Sequence, residues 1–493
     1  MRFLVSPPER ITDEMLQQVY LAGFDRFPWV IEATREECSV SNCGELLIER
    51  ETLDSANLFV PWLVEGHGMV TLSTGSLMDR DEPYYLPLEL ARGKISQLKT
   101  QIDEWQSLGL IVPQDIFIGV RASLDALRRA LRSPHGSVES TEAANDALRL
   151  SLDTTVRLGH CYTQQASIVR ARATDLPKTL LGAELGGAML DSTTAMSFAK
   201  TFSAARVPLA WRNIESSEGT RSWELTDRQI AWCKTHGLTV CAGPILQLDA
   251  QSLPDWLYLF EDDFESLTSA VNEFTEAAVA RYRDQVDVWI CASRANTAKI
   301  LSLSEEEIVR LSAQLVDRTK SLSRNSEIIV SLDQPWVEYA ARRQVDVPPT
   351  HFADLLMRAD LGLSGLMLEI NMGYHPGGTF PRDLVEFSRQ LDIWAVLGMP
   401  LYISLCVPSS DNPDPLAHRQ VKCLKGGGPS KSQEAWITDF VPLIMAKPYV
   451  RGVFWNQLSD KQPHDFPNGG LFDRNGRPKD SLAALAWVGA TGR

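Results

Sequence analysis

The chain has 493 residues, 44% of them hydrophobic and 23% charged, the proportions of a water-soluble globular protein. A single hydrophobic core stops growing near roughly 250–300 residues, so one large domain and at least one smaller one are expected. The formal charge of −15, from 48 Lys and Arg against 63 Asp and Glu, argues against nucleic acid or an anionic membrane as the main partner and favours uncharged or cationic ligands.

Residues 1–7 lack the basic stretch and apolar run of an export signal, and no segment reaches the roughly 18 uninterrupted apolar residues of a membrane span. A cytoplasmic location is expected. Residues 1–88 carry strand-like pieces at 2–5, 44–50, 57–64 and 68–72, separated by Pro, Gly, Asn and Ser, which predicts a small β-rich, sandwich-like domain. Its aromatics Trp29, Trp62, Tyr84 and Tyr85 suit either a core or a sugar platform. Residues 89–178 switch to helical periodicity at 90–108, 116–131 and 140–169, with breaks at Pro113, Pro134 and Gly136. They predict a helical brace or linker.

From residue 179 to 493, short runs rich in Val, Ile and Leu alternate with amphipathic stretches. Eight strands are predicted, at 180–185, 207–214, 238–246, 287–292, 327–332, 366–371, 400–407 and 450–458. Helices follow at 192–204, 225–236, 263–283, 304–322, 350–358, 381–397, 432–446 and 480–488. Ser304 before Glu305, Glu306 and Glu307, and Thr226 before Asp227, supply start signals. The acidic run Glu261-Asp262-Asp263 fits a solvated helix start. Eight such units predict an α/β fold, the (β/α)8 TIM barrel, whose chemistry lies on the loops after the strands.

Cys38, Cys43, Cys161, Cys233, Cys241, Cys291, Cys406 and Cys423 form no CxxC pair and read as reduced thiols. Cys241, Cys291 and Cys406 sit in apolar runs as small core residues. The eight histidines show neither HxxxH nor HExxH spacing, so no metal and no other cofactor is expected. The glycine-rich stretch 422–432, with Gly426-Gly427-Gly428-Pro429, lacks the GxxxxGK[ST] order of a phosphate loop and reads as a lid or flexible loop.

Several strand ends carry a resemblance. Leu209-Ala210-Trp211-Arg212-Asn213-Ile214-Glu215-Ser216-Ser217-Glu218-Gly219, followed by Trp223 and Asp227, resembles the second-strand signature of family 10 glycoside hydrolases, the endo-β-1,4-xylanases, roughly M-K-W-x-x-I-E-P-x-x-G. Ala242-Gly243-Pro244-Ile245-Leu246 and Leu253-Pro254-Asp255-Trp256-Leu257 resemble the third-strand segment of that family. Phe454-Trp455, Ser459-Asp460, Leu471-Phe472-Asp473 and Pro478-Lys479 resemble its last-strand pattern. The resemblance spans about 180–490 and implies a carbohydrate-active barrel.

It also implies where that chemistry has changed. Retaining glycosidases need a proton-donating carboxylic acid and, about 5–5.5 Å away, an attacking carboxylate. The fourth-strand motif of the family falls on Trp289-Ile290-Cys291-Ala292-Ser293-Arg294-Ala295, with Arg294 where the acid/base glutamate stands. The seventh-strand motif falls on Ile403-Ser404-Leu405-Cys406-Val407, with Leu405 at the nucleophile. A guanidinium donates no proton near neutral pH, and leucine has no lone pair. Ala210, Pro244, Leu248 and Asp249 replace sugar-holding residues, while Trp211, Glu215, Trp256, Trp289 and Trp455 match.

Two further strand ends carry polar groups. Asp333-Gln334-Pro335-Trp336 closes the fifth strand, and Glu369, sharing a face with Asn371, closes the sixth before Met372-Gly373-Tyr374-His375-Pro376. One reading makes Asp333 and Glu369 a relocated catalytic pair with Arg294 as electrostatic partner, since a buried acid has a raised pKa. The other makes Glu369 and Arg294 a structural ion pair and Asp333 a turn cap. Candidate substrate contacts are Trp211, Arg294, Asn296, Gln334, Trp336, Asn371, Tyr374, His375, Trp455 and Asp460, with the indoles suited to stacking on sugar faces. The expected function is carbohydrate-active, of family 10 glycoside hydrolase-like type with a non-standard or lost site. The alternatives are a non-catalytic barrel that binds a glycan or a protein, and a purely structural subunit. An oligosaccharide or polysaccharide fragment is the expected partner, with neither nucleic acid nor membrane, and homo-oligomers through the first 180 residues are a further expectation.

Overall fold

The computed structural model describes residues 1–36, 38, 42–172, 177–418, 420–424 and 432–491. The N-terminal part contains β1 (Arg2–Val5), α1 (Asp13–Gln18), β2 (Tyr20–Ala22), β3 (Pro28–Trp29), β4 (Glu32–Glu36), β5 (Gly44–Glu49), β6 (Ala56–Val64), β7 (Gly68–Leu77) and β8 (Tyr84–Tyr85). They form two four-stranded sheets, ordered β4-β5-β1-β8 and β3-β2-β6-β7. Three helices follow: α2 (Leu86–Ser107), α3 (Gln114–Arg132) and α4 (Val138–Arg172). The β part and the helical part share one core, in which Phe3, Leu46, Val60 and Trp62 pack with Leu90, Ile95, Leu148 and Leu152. Gly93 permits this closeness, because a Cβ there would stand 2.2 Å from the Ser73 carbonyl of β7.

Nearly all of β6 is buried because it works on both faces. Leu58, Val60 and Trp62 enter the N-terminal core. Phe59, on the opposite face by alternation, joins Tyr20, Ala341, Phe380 and Leu424 in a cluster against the barrel. Trp62, Tyr84 and Tyr85 are buried, so these rings are core and present no sugar platform.

The barrel elements are β9 (Leu180–Glu184), α5 (Ser192–Thr201), β10 (Ala204–Val207), α6 (Trp211–Ile214), α7 (Glu224–Thr235), β11 (Thr239–Ala242), β12 (Leu246–Gln247), α8 (Phe264–Tyr282), β13 (Val288–Ile290), β14 (Ala292–Ser293), α9 (Glu305–Leu322) and β15 (Glu327–Asp333). Then come α10 (Pro349–Arg358), β16 (Gly365–Asn371), β17 (Tyr374–His375), α11 (Leu384–Ala395), β18 (Leu401–Cys406), β19 (Lys422–Cys423), α12 (Gln433–Ala446), β20 (Val450–Trp455) and α13 (Asp480–Thr491). Strands β10-β11-β13-β15-β16-β18-β20-β9 close into a ring of parallel neighbours. This is the (β/α)8 barrel that the eight alternating units predict. The capping box at α9 forms, with the Glu307 N–H donating to Ser304 Oγ and the Ser304 N–H to Glu307 Oε2.

Two strands depart from expectation. The predicted strand at 207–214 stops at Val207, because Pro208 has no N–H for the ladder, and Trp211–Ile214 turns helical instead. The predicted strand at 238–246 breaks at Gly243, whose φ of +126° only glycine tolerates and where a Cβ would lie 2.4 Å from the Ile290 carbonyl. The chain resumes as β12, paired with β14.

The N-terminal part is fastened to the loops after β15 and β16. The Arg342 guanidinium donates to the carbonyls of Leu16 and Val19, Arg382 donates to the Tyr20 hydroxyl, and Lys94 pairs with Asp383 at 2.7 Å. It therefore occupies one side of the barrel mouth. Among the described residues no helix is long and apolar enough to cross a membrane.

Candidate functional site

Period-two alternation sorts the barrel interior into layers. The lower layer is apolar: Ala204, Cys241, Val288, Ile290, Ile329, Met367, Tyr402 and Phe454. Two positions on from Ala204, Ile329, Met367, Tyr402 and Phe454 stand polar residues: Arg206, Ser331, Glu369, Ser404 and Asn456. On β18 the inward positions are thus Ser404 and Cys406. Leu405, the residue the resemblance places at the nucleophile, packs with the outer core and faces the helices.

Glu369 is 3% exposed and stands in register between Asp333 of β15 and Ser404 of β18. Its Oε1 accepts the hydroxyls of Ser331, at 2.7 Å, and Ser293. Its Oε2 lies 3.8 Å from Arg294 Nε. Arg294 itself sits in the left-handed region at φ 58°, a conformation that costs on the order of 1 kcal/mol or more for a non-glycine residue. Its nearer partners are Asp465 at 2.6 Å and Asp249 at 2.8 Å. Burial works against the guanidinium, but Asp465, Glu369, Asp249 and Asp333 together outweigh it and hold the arginine well above its ordinary pKa. Asp249 is likewise held below the usual carboxylate range, its burial outweighed by Arg294 and its hydrogen bonds.

Asp333 lies deeper. Burial, then the charge of Glu369, pushes its pKa up to about 7. Its Oδ2 accepts from Gln334 Nε2 at 3.0 Å, and Oδ1 is buried without a hydrogen-bond partner. Asn296 brackets the backbone of the same residue, donating to its carbonyl at 2.8 Å and accepting from its N–H at 3.0 Å. Asn296 and Gln334 therefore position Asp333.

A cavity of about 400 Å³ opens at the barrel mouth over the ends of β9, β10, β11 and β20, a volume suited to a small ligand. Its polar wall includes Glu184, Arg206, Gln247, Arg294, Glu369, Asn456 and Asp465, and its apolar wall Leu185, Met189, Leu190, Ile245, Leu458 and Phe466. Asp333 is not on that wall. Arg206 bonds Glu184 and Asn456, and Asn456 Nδ2 donates to Asn371 Oδ1 at 3.2 Å, so one polar chain ties four strand ends across the mouth. Arg206 Nε and Asn371 Nδ2 are buried without hydrogen-bond partners.

Only Arg294, Glu369 and Trp211 among the sequence candidates lie on the cavity wall, and Trp211 offers little surface to it. It is 2% exposed, its indole donates to Glu215 Oε2 at 2.9 Å, and its ring stacks on Phe274. Trp455 donates to the Gly469 carbonyl, Tyr374 donates to the Pro467 carbonyl, and Trp336 packs edge-on to Phe387, each from a buried position. Sugar stacking by these rings is corrected by their burial. Asp460 pairs with Lys479 at 2.6 Å and accepts the Gly470 N–H, which makes it a loop brace. His375 is exposed on β17, opposite Lys422, away from the cavity. Residues 426–429 lie outside the described residues.

The sequence reading missed Glu184, Arg206, Asn456 and Asp465 as wall residues. Alternation from Ala204 would have turned Arg206 inward. Asp465 carried no local signal. Among the described residues one carboxylate-histidine group, Asp414, Asp460 and His464, is compact enough to hold a cation, but its atoms are already committed to Arg474, Lys479 and one another.

No protein-family model and no curated protein matches the chain. Among solved structures it is similar to xylanase 10B from Thermotoga petrophila RKU-1 in complex with xylobiose, at 14% identity and a TM-score of 0.47 over 64% of this chain and 94% of that one. Native xylanase 10B from Thermotoga maritima gives 14% and 0.47, covering 64% and 95%. A thermostable mutant of Xyn10A from Cellvibrio japonicus gives 14% and 0.47, covering 64% and 98%. Likenesses at this level concern the barrel and no residue of its mouth.

Proposed function

We propose that the barrel mouth binds a short, uncharged oligosaccharide without hydrolysing it. The observation that carries this reading is the placement of the carboxylates: Glu369 reaches the cavity wall, whereas Asp333 does not. Hydrolysis needs two carboxyl groups facing the same bond, one holding a proton and the other free to attack or to activate water. Glu369 is already engaged by two hydroxyls and faces Arg294. The wall nevertheless offers what a sugar needs: carboxylate and amide groups for its hydroxyls, and apolar side chains for its CH faces. Charges on the wall are largely paired within the protein, which disfavours a strongly ionic ligand.

A second reading draws on Asp333, whose pKa of about 7 suits a proton donor. It assigns glycosidic hydrolysis to Glu369 and Asp333. Calorimetric titration with β-1,4-linked oligosaccharides, followed by chromatography of the recovered ligand, separates the two. Binding with intact ligand, weakened at least tenfold in Asn456→Ala and retained in Glu369→Gln, is expected. Shortened ligand from the wild type and none from Glu369→Gln would establish the second reading instead.

A further inference from the structure

A second cavity lies between the segment after β14, the start of α9 and the segment that joins β15 to α10. Its volume is about 410 Å³, room for a small organic molecule, and it shares no wall residue with the cavity at the barrel mouth. Part of its wall is apolar: Ile308 and Phe352 are buried there, with Leu303 and Val347 half-buried beside them. Two cations, Lys299 and Arg343, stand on the same wall, and among the described residues neither has an ion-pair partner. The Arg343 guanidinium lies on the Tyr339 ring, 4.4 Å from its centroid, and its Nε is buried with no hydrogen-bond partner, a state that buried donors rarely keep. Tyr339 in turn donates to the Asn296 carbonyl at 3.4 Å, and Asn296, also on the wall, is clamped to the backbone of Asp333. The cationic side is therefore set before any ligand arrives. Glu305, the carboxylate on this wall, is engaged by the Val347 N–H, which donates to it at 2.5 Å. Two cations against one carboxylate leave the wall positive, on a chain whose formal charge is −15.

We infer that this cavity is a second ligand site, which takes an organic monocarboxylate with an apolar body. The carboxylate accepts charge-assisted hydrogen bonds from Arg343 and Lys299. The apolar body covers Ile308, Val347 and Phe352, removing hydrocarbon surface from water on both partners. Either part alone makes a weak ligand. A bare carboxylate gains little from cations that water still reaches, and a bare hydrocarbon leaves both cations unmatched. The inference stands apart from the reading of the barrel mouth, because the two sites share neither wall residues nor ligand charge.

The test titrates the full chain by isothermal calorimetry with three probes: octanoate, acetate, which has the charge without the tail, and octan-1-ol, which has the tail without the charge. Octanoate should bind saturably, and acetate and octan-1-ol should each bind about tenfold more weakly or less. Arg343→Gln and, independently, Lys299→Glu should each weaken octanoate about tenfold. Arg343 is half-buried and Lys299 exposed, so both variants should keep the native fold, which circular dichroism checks. Octan-1-ol that binds as tightly as octanoate would overturn the carboxylate assignment. Octanoate that fails to saturate, or that binds either folded variant as tightly as the wild type, would overturn the site.

Discussion

Two arginines gather carboxylates in this molecule, one sealed and one partly exposed, and their surroundings differ. At the seam, Arg382 is 1% exposed, and its partners Glu338 and Glu386 are each 4% exposed. Arg26 adds a bond to Glu386 at 2.9 Å, and Tyr20 completes the set. At the barrel mouth, Arg294 is 19% exposed, and its nearest partners Asp249 and Asp465 are 23% and 36% exposed. The first group welds the N-terminal part to the loops after β15 and β16. The second borders a cavity, on a left-handed backbone, with water at hand. Equivalent side-chain chemistry thus serves as a fastening where it is sealed and as a cavity wall where it is open.

The largest expected effect is at the seal. Arg382→Met leaves Glu338 and Glu386 with less compensation in a place water does not reach, and should cost about 3–5 kcal/mol, read as a lower midpoint in urea denaturation. A loss under 1 kcal/mol would show that the seam is not held by this pair.

Asp333 gives a pH-dependent test of the mouth. Its folded pKa of about 7 stands above the ordinary 3.8, so the native state binds this proton more tightly than the unfolded chain. The stability it contributes is complete below about pH 3.8 and is lost as pH rises through about 7. Asp333→Asn fixes the neutral form and should stabilise the protein at pH 8 by on the order of 2–3 kcal/mol, with little change at pH 4. Thermal denaturation at both pH values checks the sign, and equal effects at the two would contradict it.

Arg294→Met should cost less than Arg382→Met, about 1–3 kcal/mol, because solvent screens Asp249 and Asp465 once the guanidinium is gone. A cost equal to that at the seam would erase the contrast between the two groups. The smallest effect belongs to His375→Ala, which should stay within about 0.5 kcal/mol and leave ligand binding unaltered, since His375 is exposed and off the cavity wall.

The barrel was legible because each strand and helix announces itself locally, by apolar runs, alternation and caps. Where it was misread, one residue overrode the local pattern: Pro208 ended the second strand early, and Gly243 broke the third. The site was less legible for a different reason. Residues matching the xylanase-like motifs, Trp211, Glu215, Trp289, Trp455 and Asp460, turn out to hold loops and core together, so matching sequence marked scaffold. The cavity wall draws Glu184 and Arg206 from β9 and β10, and Asn456 and Asp465 from the loop after β20, and only the closed ring brings them together. Glu369 was found because alternation pointed it inward, and Arg294 because the family motif falls on it after the fourth strand. Leu405 was placed at the mouth by motif alone, and its side chain faces the other way.

The central claim, binding without hydrolysis, is tested most directly by proton NMR of the anomeric region of a β-1,4-linked oligosaccharide mixed with the protein and followed over a day. The account predicts broadened anomeric resonances that sharpen when excess ligand is added, with no new reducing-end signals. Reducing-end resonances that grow with time, and that fail to appear with Glu369→Gln, would contradict it.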